Sequence, residues 1–271
     1  MKADKRQVHT FIVCAYQESP YLEACIRSLM GQTVNSQICI ATSTPNRYIK
    51  NIAKKYGLPV FVNTGEKGLA GDWNFAVSCG TTPYVTLAHQ DDLYLQKYTE
   101  DVLGALETCS RPLLAFTDYY ERRMDKDGNE RRIRTNKLLR IKRLMLFPMR
   151  FSILWNSRFV RRCILSMGSA ICCPSVTLAK NNLDIPIFEN NMKSNIDWQA
   201  WEKISNKKGA FAYIAKPSME HRIHPASTTS EVLKNDERKK EDLYMYRKFW
   251  PGWIARGIEF FYQKSEKSNY N

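Results

Sequence analysis

Short apolar runs alternate with longer amphipathic stretches through the first half of the chain. Thr10–Ala15 (TFIVCA), Gln37–Ala41 (QICIA), Pro59–Asn63 (PVFVN), Tyr84–Ala88 (YVTLA) and Leu113–Tyr119 each read as a strand, being short, rich in β-branched or aromatic residues and bounded by polar or turn residues. Between them, Tyr21–Met30, Asn46–Tyr56, Leu69–Cys79 and Leu95–Cys109 place apolar residues at helical spacing. Ser19-Pro20 reads as an N-cap followed by proline at the first helical position, and Gly57 and Gly80 close the second and third helices. Strands separated by helices of this length predict an α/β fold, with a Rossmann-like, mainly parallel sheet flanked by helices. Ligands of such sheets bind beyond the carboxyl ends of the strands.

The pattern changes in the second half. Asp127-Gly128 reads as a hairpin turn. Lys137–Met167 reads as basic amphipathic helix, and Asp197 precedes a helix whose Trp198, Trp201 and Ile204 share a core-facing side. A strand at Phe211–Ala215 leads into a loop with His221, Arg222 and His224, flanked by Ser227, Thr228 and Ser230. The last stretch, LYMYRKFWPGWIARGIEFFYQK, is aromatic, basic and helical in pattern. The division expected is one domain over 1–235, containing the basic segment 137–167, and a helical tail over 236–271.

Charge sharpens this picture. The net charge is +14, and no acidic residue falls between Glu130 and Asp184, where about a dozen Lys and Arg occur. A negatively charged partner follows: nucleic acid, anionic lipid or a phosphorylated substrate. No apolar run approaches the ~20 residues that span a bilayer, and MKADKRQVHT lacks the apolar core of a signal peptide, so the expected location is the cytoplasm or the inner face of the cell membrane. The eight cysteines are scattered without CxxC spacing and read as small buried hydrophobes in a reducing compartment.

The candidate chemistry centres on HQDD (His89 to Asp92), placed directly after the fourth strand. Adjacent carboxylates repel one another, so they require either solvent or a cation. Hard oxygen ligands suit Mg²⁺ or Mn²⁺ carrying a diphosphate, and a solvated turn is the plainer alternative. In GLAGDWN, Gly68 and Gly71 permit close backbone approach at a helix start, which suits phosphate; a glycine turn capped by Asp72 reads equally well. Asp197 is either a helix cap or a general base held at the crevice. The His221–His224 stretch suits phosphate or metal, or is a polar surface loop.

Taken together, FIVCAYQESPYLEACIRSLMGQT, NTGEKGLAGDWNFAVSCGTTPYVTLAHQDDLY, FTDYYERRMDKDGNE, and IDWQAWEKI followed by HRIHPASTTS resemble, in order and spacing, the family 2 glycosyltransferases of the GT-A fold, of the type that assembles bacterial polysaccharides. The resemblance runs from Thr10 to about Ser230. It implies an inverting, metal-dependent transferase moving a sugar from a nucleoside diphosphate, UDP or dTDP first, to a hydroxyl of a glycan or lipid-diphosphate-linked glycan. It places Asp197 on the catalytic base, Asp91 and His224 on the Mn²⁺ or Mg²⁺ ligands, and His89, Gln90 and Asp91 on the DxD motif. Ala15, Tyr16 and Glu18 fall against the nucleotide base, and Thr42, Gly68, Asp72, Asn74, Asp92 and Arg222 complete the donor site. Three stretches depart from the family pattern. His89 replaces the first DxD aspartate and suits ribose or phosphate rather than metal. Thr42, Ser43 and Thr44 stand where an acidic pair usually reads the base. Trp73 replaces the basic residue before Asn74.

Two other classes are compatible with a metal, a nucleotide and a basic chain. A nucleotidyltransferase needs a glycine-rich basic loop after the first strand, and AYQESPYLE is neither. A nucleic-acid-binding protein lacks support from any helix-turn-helix, RRM or zinc pattern, and no nucleic-acid partner is expected. The basic segment, with Phe147, Met149, Phe151, Leu154 and Trp155 among Arg140, Lys142, Arg143 and Arg150, reads either as a face resting on anionic membrane or as helices packed on the core with solvated charges. Trp250, Trp253, Phe260 and Phe261 extend the membrane reading into the tail.

Overall fold

The computed structural model describes residues 8–125, 129–224 and 236–267. The turn expected at Asp127-Gly128 and the hydroxyls of Ser227, Thr228 and Ser230 lie outside the described residues. β1 (His9–Ala15), β2 (Gln37–Thr42), β3 (Val60–Val62) and β4 (Tyr84–His89) pair in parallel in the order β3-β2-β1-β4. Phe11, Ile12 and Val13 of β1 are wholly buried, as a strand covered by helices on both faces requires. The connecting helices are α1 (Leu22–Met30), α2 (Arg47–Tyr56) and α3 (Leu69–Cys79). α2 begins where the Ile49 N–H donates to the Asn46 side chain at 2.8 Å and ends on Gly57 in the left-handed region, φ 64°.

The other half of the sheet is mixed. It contains β5 (Leu93–Tyr94), β6 (Pro112–Met124), β7 (Glu130–Ile133), β8 (Val176–Ala179) and β9 (Ala210–Ile223), with α4 (Tyr98–Glu107), α5 (Lys137–Met145), α6 (Arg158–Leu165) and α7 (Ile196–Ser205) around them. β8 enters antiparallel between β4 and β6, while β6 and β9 are parallel and β5 closes the edge antiparallel to β9. The strand expected to stop at Ala215 continues to Ile223, so His221 and Arg222 are strand residues rather than loop residues.

Two local expectations change. α1 starts at Leu22 without a side-chain cap; Ser19 instead accepts from the Tyr21 N–H at 3.3 Å and donates to Asp91 Oδ1 at 2.8 Å. The basic segment is not one helix. α5 gives way to single 3₁₀ turns at Phe147–Arg150 and Ser152–Leu154 before α6. Pro148 lacks an N–H and its ring opposes continuation of α5.

One core lies on each face of the sheet. Trp198, Trp201 and Ile204 of α7 are buried in the first, with Trp73, Phe116 and Phe211. Phe11, Leu22, Ile49 and Val102 belong to the second. The C-terminal helices α8 (Asp236–Arg247) and α9 (Gly252–Lys267) pack into the first core through Met245, Tyr246 and Ala255. Trp250 between them donates from Nε1 to the Ser166 carbonyl at 2.9 Å, so this tail tryptophan is a packing residue. Arg161 is likewise structural: buried over the Phe211 ring at 4.8 Å, it donates to the carbonyls of Ser205 (2.9 Å), Gly209 (2.6 Å) and Lys207. All eight cysteines are free thiols. Among the described residues no helix is long and apolar enough to cross a membrane.

Candidate active site

A cleft of about 730 Å³ opens at the carboxyl ends of β1, β2 and β4. One wall comes from the end of β2 and the start of α3. Thr42, Ser43, Thr44, Asn63, Gly68 and Asp72 line it. Ser43 Oγ and Asn63 Nδ2 each donate to the Asp72 carboxylate at 2.7 Å, which fixes its orientation. Asp72 therefore supplies an acceptor beside the β2 threonines, where the acidic pair is missing from the sequence. Gly68 adopts φ 97° beside the cleft. Gly71 has another purpose than the one expected: a Cβ there would meet the Glu66 carbonyl oxygen at 2.4 Å, so the glycine admits its own preceding loop.

The floor is the last residue of β4 and the turn that follows it. His89 stacks on Trp73, ring centroids 5.2 Å apart, and burial lowers its pKa, which keeps the imidazole neutral. Its Nε2 is buried with no hydrogen-bond partner among the described residues. Gln90 is a tie: its amide donates to the Tyr16 carbonyl at 3.0 Å and accepts from the Tyr16 N–H at 3.1 Å. Ala15 and the exposed Tyr16 line the cleft beside it.

Asp91 and Asp92 have different surroundings. Asp91 Oδ2 lies 3.2 Å from His224 Nε2, and its Oδ1 accepts from Ser19. Asp92 is 1% exposed. Its Oδ1 accepts from the Arg222 backbone N–H at 2.8 Å and lies 3.1 Å from His221 Nδ1, while Oδ2 has no partner among the described residues. Burial works to lower the His221 pKa, but the Asp92 carboxylate beside it outweighs this and the net shift is upward. Arg222 is committed to the same loop: its Nε donates to the Asp91 carbonyl at 2.8 Å, and the guanidinium sits 4.2 Å over the Tyr21 ring and pairs with Glu130. It lines the cleft with part of its guanidinium already committed to Asp91 and Glu130.

Asp197 sits in the first turn of α7, lines the same cleft, and accepts from the Trp198 N–H at 2.7 Å. Burial raises its pKa, opposed by that hydrogen bond and by the charges of Lys142 and Arg238. A carboxyl made more basic by its surroundings is suited to taking a proton.

Two expected donor residues are elsewhere. Glu18 is exposed and outside the cleft lining. Asn74 spends its amide on the loop before α7, accepting from the Ile187 and Phe188 N–H groups (both 3.0 Å) and donating to the Phe188 carbonyl (2.7 Å). Conversely, Lys142, Tyr119, Lys193 and Arg238 line the cleft although no motif in the sequence marks them. Lys142 belongs to the basic segment that reads either as a membrane face or as helices packed on the core. α5 turns it inward, 3.2 Å from Tyr119 Oη. Arg143 also turns inward, pairing with Asp118 at 2.7 Å. Arg238 arrives from the C-terminal tail, whose register over the sheet no short-range signal reveals.

The Asp91–His224 pair fits a divalent cation: a carboxylate oxygen and an imidazole nitrogen already converge. Among the described residues no group of three or more His, Cys, Asp or Glu is placed to hold a metal, so an ion here needs further ligands from a bound diphosphate.

Comparison with known proteins supports the fold. The description "Glycosyl transferase family 2" matches residues 10–167. No curated protein sequence matches the chain. Among solved structures, Staphylococcus aureus TarS 1-349 in complex with UDP-GlcNAc is 15% identical, covering 93% of this chain and 70% of that one, with a TM-score of 0.61. The mannosyltransferase PcManGT from Pyrobaculum calidifontis, in complex with GDP-Man and Mn²⁺, is 13% identical over 93% of this chain and 69% of its own, TM-score 0.63. Glucosyl-3-phosphoglycerate synthase from Mycobacterium tuberculosis, with Mn²⁺ and UDP-glucose, is 14% identical over 90% and 80%, TM-score 0.58. At these identities the likeness is one of fold.

Proposed function

This chain belongs to glycosyl transferase family 2, and from that premise we propose that it moves a sugar from a nucleoside diphosphate, UDP or dTDP first, to a hydroxyl of a glycan or lipid-diphosphate-linked glycan, inverting the anomeric carbon and using Mn²⁺ or Mg²⁺. A role in building a cell-surface polysaccharide follows from that acceptor class. The observation that carries the reading is the single cleft that holds Asp91 and a nucleotide-sized wall together with Asp197, a carboxyl made more basic by burial.

The assignments follow from what each side chain has left to offer. The base lies against Ala15, Tyr16, Thr42 and Asp72, where a fixed carboxylate and hydroxyls present acceptors and donors. The neutral His89 has Nε2 to offer to ribose or phosphate. Asp91 and His224 would hold the cation, and when bound it neutralises the departing diphosphate and acts as a Lewis acid. The imidazole in this donor set favours Mn²⁺ over Mg²⁺, which prefers oxygen ligands throughout. The three solved neighbours were crystallised with nucleotide sugars, two of them with Mn²⁺. Asp197 removes the proton from the acceptor hydroxyl as its oxygen forms the bond to the anomeric carbon; the bond to the diphosphate breaks and its electron pair leaves with the nucleotide. A single in-line displacement of this kind inverts configuration.

Asp197→Asn tests the base assignment. It keeps the shape and the hydrogen bond to Trp198 but removes the proton acceptor, so donor binding persists while transfer falls by roughly 10²–10⁴-fold. Transfer at near wild-type rate would remove Asp197 from the mechanism.

A further inference from the structure

The structure divides the basic segment into three parts. Arg161 and Arg162 bind the α7 region, Lys142 and Arg143 turn toward the cleft and Asp118, and a third group faces solvent. This third group is distinctive. Leu144, Phe147, Phe151, Ile153 and Phe159 are between 51% and 85% exposed, although they fall within sixteen residues of one another. They lie on α5, the two 3₁₀ turns and the residue between them, and the first turn of α6, successive elements that pack together, and the Phe147 and Phe151 ring centroids are 5.9 Å apart. Arg140, Arg150 and Arg158 are exposed on the same elements. Large apolar side chains seldom crowd together on the surface of a soluble monomer, because the apolar area loses nothing by being covered.

We infer that this face docks on an anionic lipid surface. Charge selects the occupant. No carboxylate lies between Glu130 and Asp184, so the face offers cations and apolar side chains with no acid from its own stretch of chain to repel phosphate headgroups. Short aromatic and aliphatic insertions ringed by arginine match the boundary between headgroups and acyl chains. The residues differ from those the sequence suggested: Met149 is buried, the Trp155 indole donates to the Met149 carbonyl at 2.7 Å, and Lys142 faces the cleft. Ile153 and Phe159 take their place. The same helix, α5, carries Lys142 into the cleft and Leu144 into solvent. One helix thus joins the docking face to the cleft, so a lipid-linked acceptor would approach the cleft from the α5 side. This inference rests on the transferase reading only for that last step; the docking stands without it.

Sedimentation of the full chain with vesicles tests it. Phosphatidylcholine vesicles serve as the neutral surface and phosphatidylcholine mixed with phosphatidylglycerol as the anionic one, at low and high salt. The anionic vesicles should pull the protein down at low salt, and high salt should release much of it. Phe147→Ser/Phe151→Ser should abolish sedimentation. Arg140→Gln/Arg150→Gln, which changes only exposed side chains and keeps folding out of question, should weaken it roughly thirtyfold at low salt. UDP binding with Mn²⁺, measured on the same variants, should match wild type, which separates loss of docking from loss of the donor site. Failure of the wild type to bind anionic vesicles at low salt overturns the inference, as does binding that both variants retain. A wild-type dimer that the serine variant dissociates, with no vesicle binding, would assign the face to a second copy of the chain instead.

Discussion

Asp92 gives the sharpest quantitative expectation. Asp92→Ala would strip the acceptor from the buried Arg222 backbone N–H at 2.8 Å and from the half-buried His221 Nδ1 at 3.1 Å. An orphaned buried donor costs about 1–3 kcal/mol and the half-buried imidazole somewhat less, so the gross loss is about 2–5 kcal/mol. Against this, Oδ2 has no partner among the described residues, and removing the carboxyl removes that burden. The net destabilisation should be about 2–4 kcal/mol, a large part of the ~5–15 kcal/mol that holds a typical domain together. With a urea slope near 3 kcal/mol/M for a chain of this size, the unfolding midpoint should fall by about 1 M. Asp92→Asn keeps one oxygen for the Arg222 N–H and should cost about half as much. The loss should also reach the donor site, because Asp92 holds the end of β9 that carries Arg222 and His224 against Asp91. Urea unfolding at neutral pH and UDP titration with Mn²⁺ on the same samples give both readings. If Asp92→Ala unfolds within ~0.5 kcal/mol of wild type and loses affinity for the intact sugar donor but not for UDP, Asp92 is a sugar contact and the tie is wrong.

Other perturbations give separable outcomes. His224→Ala should weaken Mn²⁺-dependent UDP binding at least tenfold while leaving metal-free binding unchanged, read by calorimetry. Because burial raises the Asp197 pKa, the base form accumulates only at pH above the ordinary ~3.9, so the acidic limb of kcat should lie above that value; Lys142→Ala, removing a charge that opposes the shift, should move the limb further up. The same sign bears on stability: a native pKa above the unfolded one means that ionising Asp197 costs stability as pH rises, so Asp197→Asn should raise Tm at pH 7. Gly71→Ala should destabilise by about 1–3 kcal/mol in urea unfolding, since the added methyl meets a backbone carbonyl that cannot swing aside.

The parallel half of the fold was legible because each strand is short, apolar and punctuated. Ile40, Ala41, Val85 and Ala88 have one possible destination, and Asn46 and Gly57 mark the ends of α2 by caps that carry their own geometry. β8 was not legible, since four wholly buried residues show no alternation. The floor of the cleft was readable because HQDD starts on the last residue of a parallel strand, and the sheet fixes where it must lie. What the sequence could not disclose is which side chains have capacity left over. Asn74 and Gln90 are amides whose local context suits a ligand, yet long-range backbone groups use both ends of each. Lys142 shows the reverse. Two positions on α5 separate a cleft residue from a solvent-facing one, and a run of basic residues interrupted by Pro148 does not say which face of α5 meets the sheet.

Calorimetric titration of the full chain with UDP, dTDP and GDP, each with Mn²⁺ and with EDTA, tests the central assignment most directly. A nucleoside-diphosphate site built on Asp91 and His224 predicts tight binding of UDP or dTDP with Mn²⁺ and a large loss of affinity in EDTA. Failure of every diphosphate to bind a demonstrably folded protein, or binding indifferent to the metal, would contradict it and return Asp91 and Asp92 to the status of a hydrogen-bonded turn.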